Sequence, residues 1–246
     1  MLVQLLLQRL VCLSLSCIVF HNGPYDKHSL FFRVIIIGLH FTKEVIQQIG
    51  PLNCSYLSLH VGAGTFKPVR VEDAREHEMH AESFTVPVYE IRSILKALDQ
   101  NKALVVVGTT STRTLESLYW CGVKQLKEAQ DPMNLLLGQF DWIALQNRNV
   151  SRKVALEALI EGLGDRDILQ GKTSLMISPP SYEFKVVDHL VTNFHAPDST
   201  LMLLVSAFCK DASGDIITNL YEHAQHKGYR FLSYGDVCLF TSRIKD

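Results

Sequence analysis

Ala103-Leu104-Val105-Val106-Val107 runs straight into Gly108-Thr109-Thr110-Ser111-Thr112-Arg113. The first five residues are wholly apolar, the composition of a strand covered on both faces, as in parallel sheets. After Gly108 the chain reads as a helix burying Leu115 and Leu118. Strand and helix go on alternating from Thr42 to the end. That pattern predicts an α/β fold with a mixed, largely parallel sheet and flanking helices. The junction also carries chemistry. Hydroxyls and free backbone N–H groups gather at a helix start, where the dipole favours an anion or a carboxylate, and Arg113 stands ready to pair with the same group. Simple capping by Ser and Thr accounts equally well for these residues. A P-loop is excluded, because no Gly-Lys-Ser/Thr follows.

Upstream, Tyr56 to Val61 reads as a buried strand ending in Gly62-Ala63-Gly64-Thr65. The two glycines permit either a close backbone approach or an ordinary turn. A dinucleotide fingerprint would need a third glycine where Lys67 stands and a helix directly after it, but Pro68-Val69-Arg70-Val71 looks extended. His60, His77 and His80 then fall close to Glu76, Glu78 and Glu82. A zinc site on His77-x-x-His80 would need carboxylates to complete it, against the usual ligand sets, and nothing in the sequence requires a metal. Earlier still, Thr42 caps a short helix carrying Phe41, Val45, Ile46 and Ile49, stopped by Gly50-Pro51. His40 at its entry is either a hydrogen-bonded structural residue or a catalytic one.

Downstream, Ile91, Ile94, Leu95 and Leu98 recur at helical spacing. Ser151 caps a helix with Leu156, Leu159, Ile160 and Leu163 on one face, ended by Gly164. Residues 173–177 and 183–187 are expected to be two strands around a Pro179-Pro180 turn. Thr192 to Leu201 leads into a helix with Asp198 as N-cap and Leu201, Leu204, Val205 and Phe208 as its buried stripe. Asn193 and His195 sit just before it, where strand-to-helix loops present functional groups. A helix over about 216–226 ends at Gly228, and a last strand covers 237–240.

The 246 residues, 47% hydrophobic and 20% charged, suit a soluble globular protein of one large domain or two small ones. A formal net charge of −1 excludes a global basic field, so RNA would have to be met by a local Lys/Arg cluster. Cys12, Cys17, Cys54, Cys121, Cys209 and Cys238 form no Cys-x-x-Cys pair. That favours reduced cytosolic thiols over a disulfide framework or zinc ribbon. Val11 to Phe20 is too short to span a bilayer. As a secretory signal core it has no positive charge before Arg9 and no clear small-x-small cleavage site, so residues 1–37 are read as an unassigned apolar N-terminus. A hydrolase built on His195 and the Ser/Thr-rich loops has no Gly-x-Ser-x-Gly elbow behind it.

Five stretches, in order, resemble the S-adenosylmethionine:tRNA ribosyltransferase-isomerases of queuosine biosynthesis. They are Gly38-Leu-His-Phe-Thr42; His60 to Phe66 with Pro68-Val69 and His77-x-Met79-His80-x-Glu82; Gly108-Thr-Thr-Ser-x-Arg-x-Leu-Glu-Ser117; Asn193-Phe-His-x-Pro-x-Ser-Thr-Leu201; and Gly228-Tyr-Arg-Phe-x-Ser-Tyr-Gly-Asp236. The resemblance implies an α/β domain over 38–246, with an insertion at about 122–170 and the family's small β-barrel domain mostly absent. Where the family has Thr-Asp and Pro-Gly-Tyr, this chain has Thr173-Ser174 and Pro180-Ser181-Tyr182.

The activity implied is transfer and isomerisation of the ribosyl moiety of S-adenosylmethionine onto 7-aminomethyl-7-deazaguanine in tRNA. Epoxyqueuosine forms, and adenine and methionine leave. Such chemistry needs a general base tuned near neutral pH, assigned to His60 or His195 with Glu76 or Asp236 orienting it. Thr109, Thr110, Ser111 and Arg113 would take an anionic group, and Phe66, Phe194 and Tyr234 would stack on bases. His40, Gly62, Gly64, Thr65, His77, His80, Glu82, Asn193, Ser199 and Thr200 complete the implied substrate-binding set. The implied partners are S-adenosylmethionine, as ribosyl donor, and tRNA carrying the modified wobble base. The implied setting is a cytoplasmic monomer with no membrane and no metal. A second reading keeps the family and drops the chemistry: a catalytically inactive truncated remnant that still binds S-adenosylmethionine or tRNA.

Overall fold

The computed structural model describes residues 18–20, 41–50, 53–60, 76–128, 130–197 and 199–241. In chain order these form β1 (Ile18–Phe20), α1 (Lys43–Ile49), β2 (Ser58–His60), β3 (Glu82–Pro87), α2 (Val88–Asp99), β4 (Val105–Val107) and α3 (Thr109–Gln125). There follow β5 (Leu135–Leu137), α4 (Asp141–Leu145), α5 (Arg152–Glu161), β6 (Ile168–Thr173), β7 (His189–Asn193), α6 (Thr200–Phe208), α7 (Asp215–His226) and β8 (Val237–Thr241).

The α/β expectation holds, with a correction to the sheet. Among the described residues the strands divide into two four-stranded sheets, β1-β4-β7-β8 and β2-β3-β6-β5. Only β4–β7 and β5–β6 run parallel; the other four pairings are antiparallel. The fold is mixed rather than largely parallel because β3 and β6 form a six-pair antiparallel ladder, Glu82 opposite Thr173 through Pro87 opposite Ile168. That pairing joins segments far apart in sequence, which alternation of elements alone does not reveal.

Helix α3 is the axle. Its buried residues run almost without a break from Thr109 to Val123, the signature of a helix packed on every side. Trp120, Leu115 and Leu118 bury against the core that also holds Phe84, Leu156 and Leu159. A Cβ on Gly122 would lie 1.9 Å from the Ala155 carbonyl oxygen, so the α3 and α5 backbones meet at van der Waals range there. The stretch 122–170 is no surface appendage. It contributes β5, α4 and α5, and it buries Leu135, Leu137, Trp142, Leu145, Leu156 and Leu159.

Local signals explain most element boundaries. The Thr42 and Ser151 side chains accept from the Val45 and Val154 N–H groups to start α1 and α5. Ser199, not Asp198, caps α6 by accepting from Met202 N–H; Asp198 lies outside the described residues. The two strands expected at 173–177 and 183–187 do not form. The strand is the earlier segment Ile168–Thr173. The N–H groups of Lys185, Val186 and Val187 are taken by the Glu116 carboxylate instead of by a neighbouring strand. Among the described residues, no helix is long and apolar enough to cross a membrane.

Candidate functional site

β4 and β7 are parallel neighbours, and each is followed by a helix, α3 after β4 and α6 after β7. Ligands of open α/β sheets collect in the crevice at the carboxyl ends of such strands. Here the two helix starts open into one small depression of about 10 Å³, room for about one water. α3 contributes Thr109, Thr110 and Arg113, and α6 contributes Thr200, Leu201 and Leu204. Leu175, Met176, Ile177 and Met79 complete the wall.

Gly108 is the N-cap of α3, with φ of 95° and no side-chain cap. Its N–H donates to the Val191 carbonyl at 2.7 Å, tying the exit of β4 to β7. Ser111, Thr112 and Thr114 turn their hydroxyls back on the carbonyls of Val107, Gly108 and Thr110. The Ser/Thr run therefore spends much of its hydroxyl capacity on α3 itself. Arg113 is buried and ion-paired with Glu82 of β3. Burial lowers its guanidinium to about 10, which leaves it charged at neutral pH. Its Nε has no hydrogen-bond partner among the described residues.

His195 follows β7. Its Nε2 lies 2.8 Å from Thr192 Oγ1, and its backbone N–H donates to the Tyr221 hydroxyl at 3.2 Å. Burial lowers the ring to about 4, so it is neutral at physiological pH.

The family described as Queuosine biosynthesis protein matches residues 34–240. The chain belongs to this family. An S-adenosylmethionine:tRNA ribosyltransferase-isomerase from Sulfurihydrogenibium sp. (strain YO3AOP1) is 40% identical over 206 residues, covering 83% of this chain and 47% of its own length. The protein of that name from Thermosipho africanus (strain TCF52B) is 36% identical over 220 residues, 89% of this chain and 52% of its own. The one from Francisella tularensis subsp. tularensis (strain WY96-3418) is 38% identical over 201 residues, 81% and 46%. A crystal structure of an S-adenosylmethionine tRNA ribosyltransferase from Thermotoga maritima aligns at 30% identity with a TM-score of 0.48, covering 81% of this chain and 50% of that one. The chain spans about half the length of the curated relatives it matches.

Within this queuosine-biosynthesis family member, the expected site residues divide. Thr109, Thr110, Arg113 and Thr200 share the depression, Glu82 reaches it through Arg113, and Ser199 serves as helix cap. His60 closes β2 opposite Ser83, one residue from Glu82. Glu76 and His80 are exposed and His77 is half-buried. Asn193 ends β7. Phe194 is buried in an aromatic cluster, with ring centroids 4.7 Å from Phe231 and 5.1 Å from Tyr221, so stacking a base on it would require opening that cluster. Tyr234 is exposed. Asp236 accepts from the Arg230 N–H at 2.7 Å and from its guanidinium, bracing the turn before β8. His40, Gly62, Gly64, Thr65 and Phe66 lie outside the described residues.

Two residues that the sequence did not single out organise this region. Gln139 grips the histidine-rich segment: its Nε2 donates to the His77 carbonyl at 2.6 Å and its Oε1 accepts from Met79 N–H at 3.1 Å. Its carbonyl accepts from Met176 N–H, so two walls of the depression hang on one residue. Glu116 of α3 is fully buried and accepts from Tyr182 and from three consecutive backbone N–H groups. Burial pushes its carboxyl up, and these donors pull it back. A lone acid between Leu115 and Leu118 on a buried helix was the available signal for Glu116. Gln139 had none.

Proposed function

We propose that this chain carries the chemistry for which its relatives are named. It transfers and isomerises the ribosyl moiety of S-adenosylmethionine onto 7-aminomethyl-7-deazaguanine in tRNA, giving epoxyqueuosine with release of adenine and methionine. The observation that carries the reading is the meeting of two family motifs, Gly108–Ser117 and Asn193–Leu201, at one depression. Thr109, Thr110 and Arg113 bind and orient S-adenosylmethionine there. His60 is the favoured general base, because His195, held at about 4 by burial, has too little proton affinity at neutral pH. His195 instead acts as a neutral hydrogen-bonding residue set by Thr192. The proposed setting is a cytoplasmic monomer whose RNA partner is the tRNA with the modified wobble base.

The test is adenine release, followed chromatographically, from S-adenosylmethionine with tRNA bearing the aminomethyl-deazaguanine. Release should require that tRNA and fall at least a hundredfold in His60→Gln, on the scale of general-base removal at about 10²–10⁴. Binding of both substrates without release would favour an inactive remnant.

A further inference from the structure

A chain of net charge −1 can meet a polyanion only through a local cluster of cations. Helix α2 carries one. Its apolar side faces in, with Ile91, Ile94, Leu95 and Ala97 buried. Tyr89, Arg92 and Lys96 stand at i, i+3 and i+7, so they share the outward face. Tyr89 is 63% exposed, and both cations are exposed as well. Neither cation has an ion pair among the described residues. Burial, and after it the Lys96 charge, lowers the Lys102 ammonium, so Lys102 lies close to the same strip. The neighbouring acids are occupied elsewhere. Asp99 pairs with Lys153 and Asp188 with Arg152, and Glu90 is buried. Asp167 stands at the far end of the helix, where its carbonyl accepts from Val88 N–H. Like charges at i, i+4 repel, and a bound polyanion would relieve that repulsion.

Position and chemistry select the partner. Gly122, 13 residues beyond Thr109 on α3, touches Ala155 near the start of α5. Lys153 of α5 reaches Asp99 at the end of α2. At 1.5 Å per residue, the strip therefore ends about 20 Å from the depression. No small molecule seated at the depression spans that distance, whereas a folded nucleic acid does. The strip shows no exposed aliphatic side chain, and protein interfaces are poor in Lys at their centres. Cations beside one exposed aromatic ring suit a phosphate backbone with an accessible base.

We propose that the outward face of α2, with Arg92 and Lys96 on phosphates and Tyr89 against a base, is a docking strip for RNA. It grips the RNA away from the nucleotide that enters the site. That the RNA is the tRNA of the proposed reaction rests on that reading; the strip's preference for a phosphate backbone rests on its own side chains.

The experiment is fluorescence anisotropy of labelled tRNA bearing the aminomethyl-deazaguanine, titrated with the full chain over a series of salt concentrations. The double variant Arg92→Glu/Lys96→Glu should bind at least tenfold more weakly at low salt. Its slope of log K against log salt should be shallower by about 1.5–2, two contacts at about 0.7–0.9 each. Tyr89→Ala should weaken binding at least threefold and leave the slope unchanged. Affinity for S-adenosylmethionine should be the same in all three variants and the parent, which shows that they fold. Lys127→Glu/Lys227→Glu changes net charge equally at exposed positions elsewhere and should keep the parental slope. An unchanged slope in the α2 double variant, an equal loss in the Lys127/Lys227 control, or poly-glutamate displacing tRNA as well as unlabelled tRNA does would each overturn the inference. Full adenine release by the α2 double variant at limiting tRNA would sink the strip and leave the proposed function standing. Binding of tRNA that depends on α2 with no adenine release would do the reverse.

Discussion

Replacing Glu116 by Gln tests the central tie between α3 and the 182–187 segment. Glu116 Oε1 accepts from Val186 N–H at 2.8 Å and Val187 N–H at 3.2 Å, while Oε2 accepts from Lys185 N–H and the Tyr182 hydroxyl, each at 2.9 Å. Glutamine keeps the shape and turns one acceptor into a donor. Its oxygen would stay on Val186 and Val187, leaving the NH2 to face Lys185 N–H and Tyr182. The Tyr182 hydroxyl already accepts from Trp120 Nε1 at 2.8 Å, so its own proton would lose its acceptor. The Tyr182 proton loses its acceptor outright, while Lys185 N–H keeps its 3.2 Å contact to Oε1, so a cost of about 1–3 kcal/mol is expected. For a domain of this size that lowers Tm by about 2–12 °C. Scanning calorimetry of the purified variant reads it, and Glu116→Ala should fall further. A Glu116→Gln melting temperature within about 1 °C of the parent would refute the view that this carboxylate organises the segment.

Burial holds His195 at about 4 against an ordinary 6.5, so the folded state binds fewer protons than the unfolded state between those values. Stability should be complete above about pH 6.5 and decline as pH falls towards 4, by up to about 3 kcal/mol. His195→Gln should flatten that slope in urea titrations across the window. Gly122→Ala places a methyl against the Ala155 carbonyl and should cost about 1–3 kcal/mol or more as α5 is pushed from α3, seen as a lower denaturation midpoint. Gln139→Leu removes both bonds to the His77–Met79 backbone. The expected cost is about 1–3 kcal/mol, together with a raised KM for S-adenosylmethionine; an unchanged KM would argue that the grip does not shape the site.

What the sequence disclosed follows the range of the forces involved. Caps act over three residues, so Thr42 and Ser151 were legible and correct. The apolar run at 103–107 told of burial, and it does pair in parallel with β7. The strand expected at 183–187 failed because its N–H groups are claimed by a carboxylate about seventy residues away, and no local pattern carries that. The Ser/Thr run before Arg113 was open between an anion site and simple capping, and three of its hydroxyls turn back on nearby carbonyls; the Glu82 pairing of Arg113 comes from the β3 register. Asp198 and Ser199 are both good caps by residue type, and the helix starts one residue later than expected, with Ser199 as cap.

The most direct measurement is label transfer. S-adenosylmethionine labelled in its ribose would be incubated with the chain and tRNA bearing the aminomethyl-deazaguanine, and the tRNA digested for nucleoside mass analysis. The account predicts label in the wobble nucleoside at the mass of epoxyqueuosine, with adenine and methionine released in equal amounts. Unlabelled tRNA recovered while S-adenosylmethionine remains bound would contradict it.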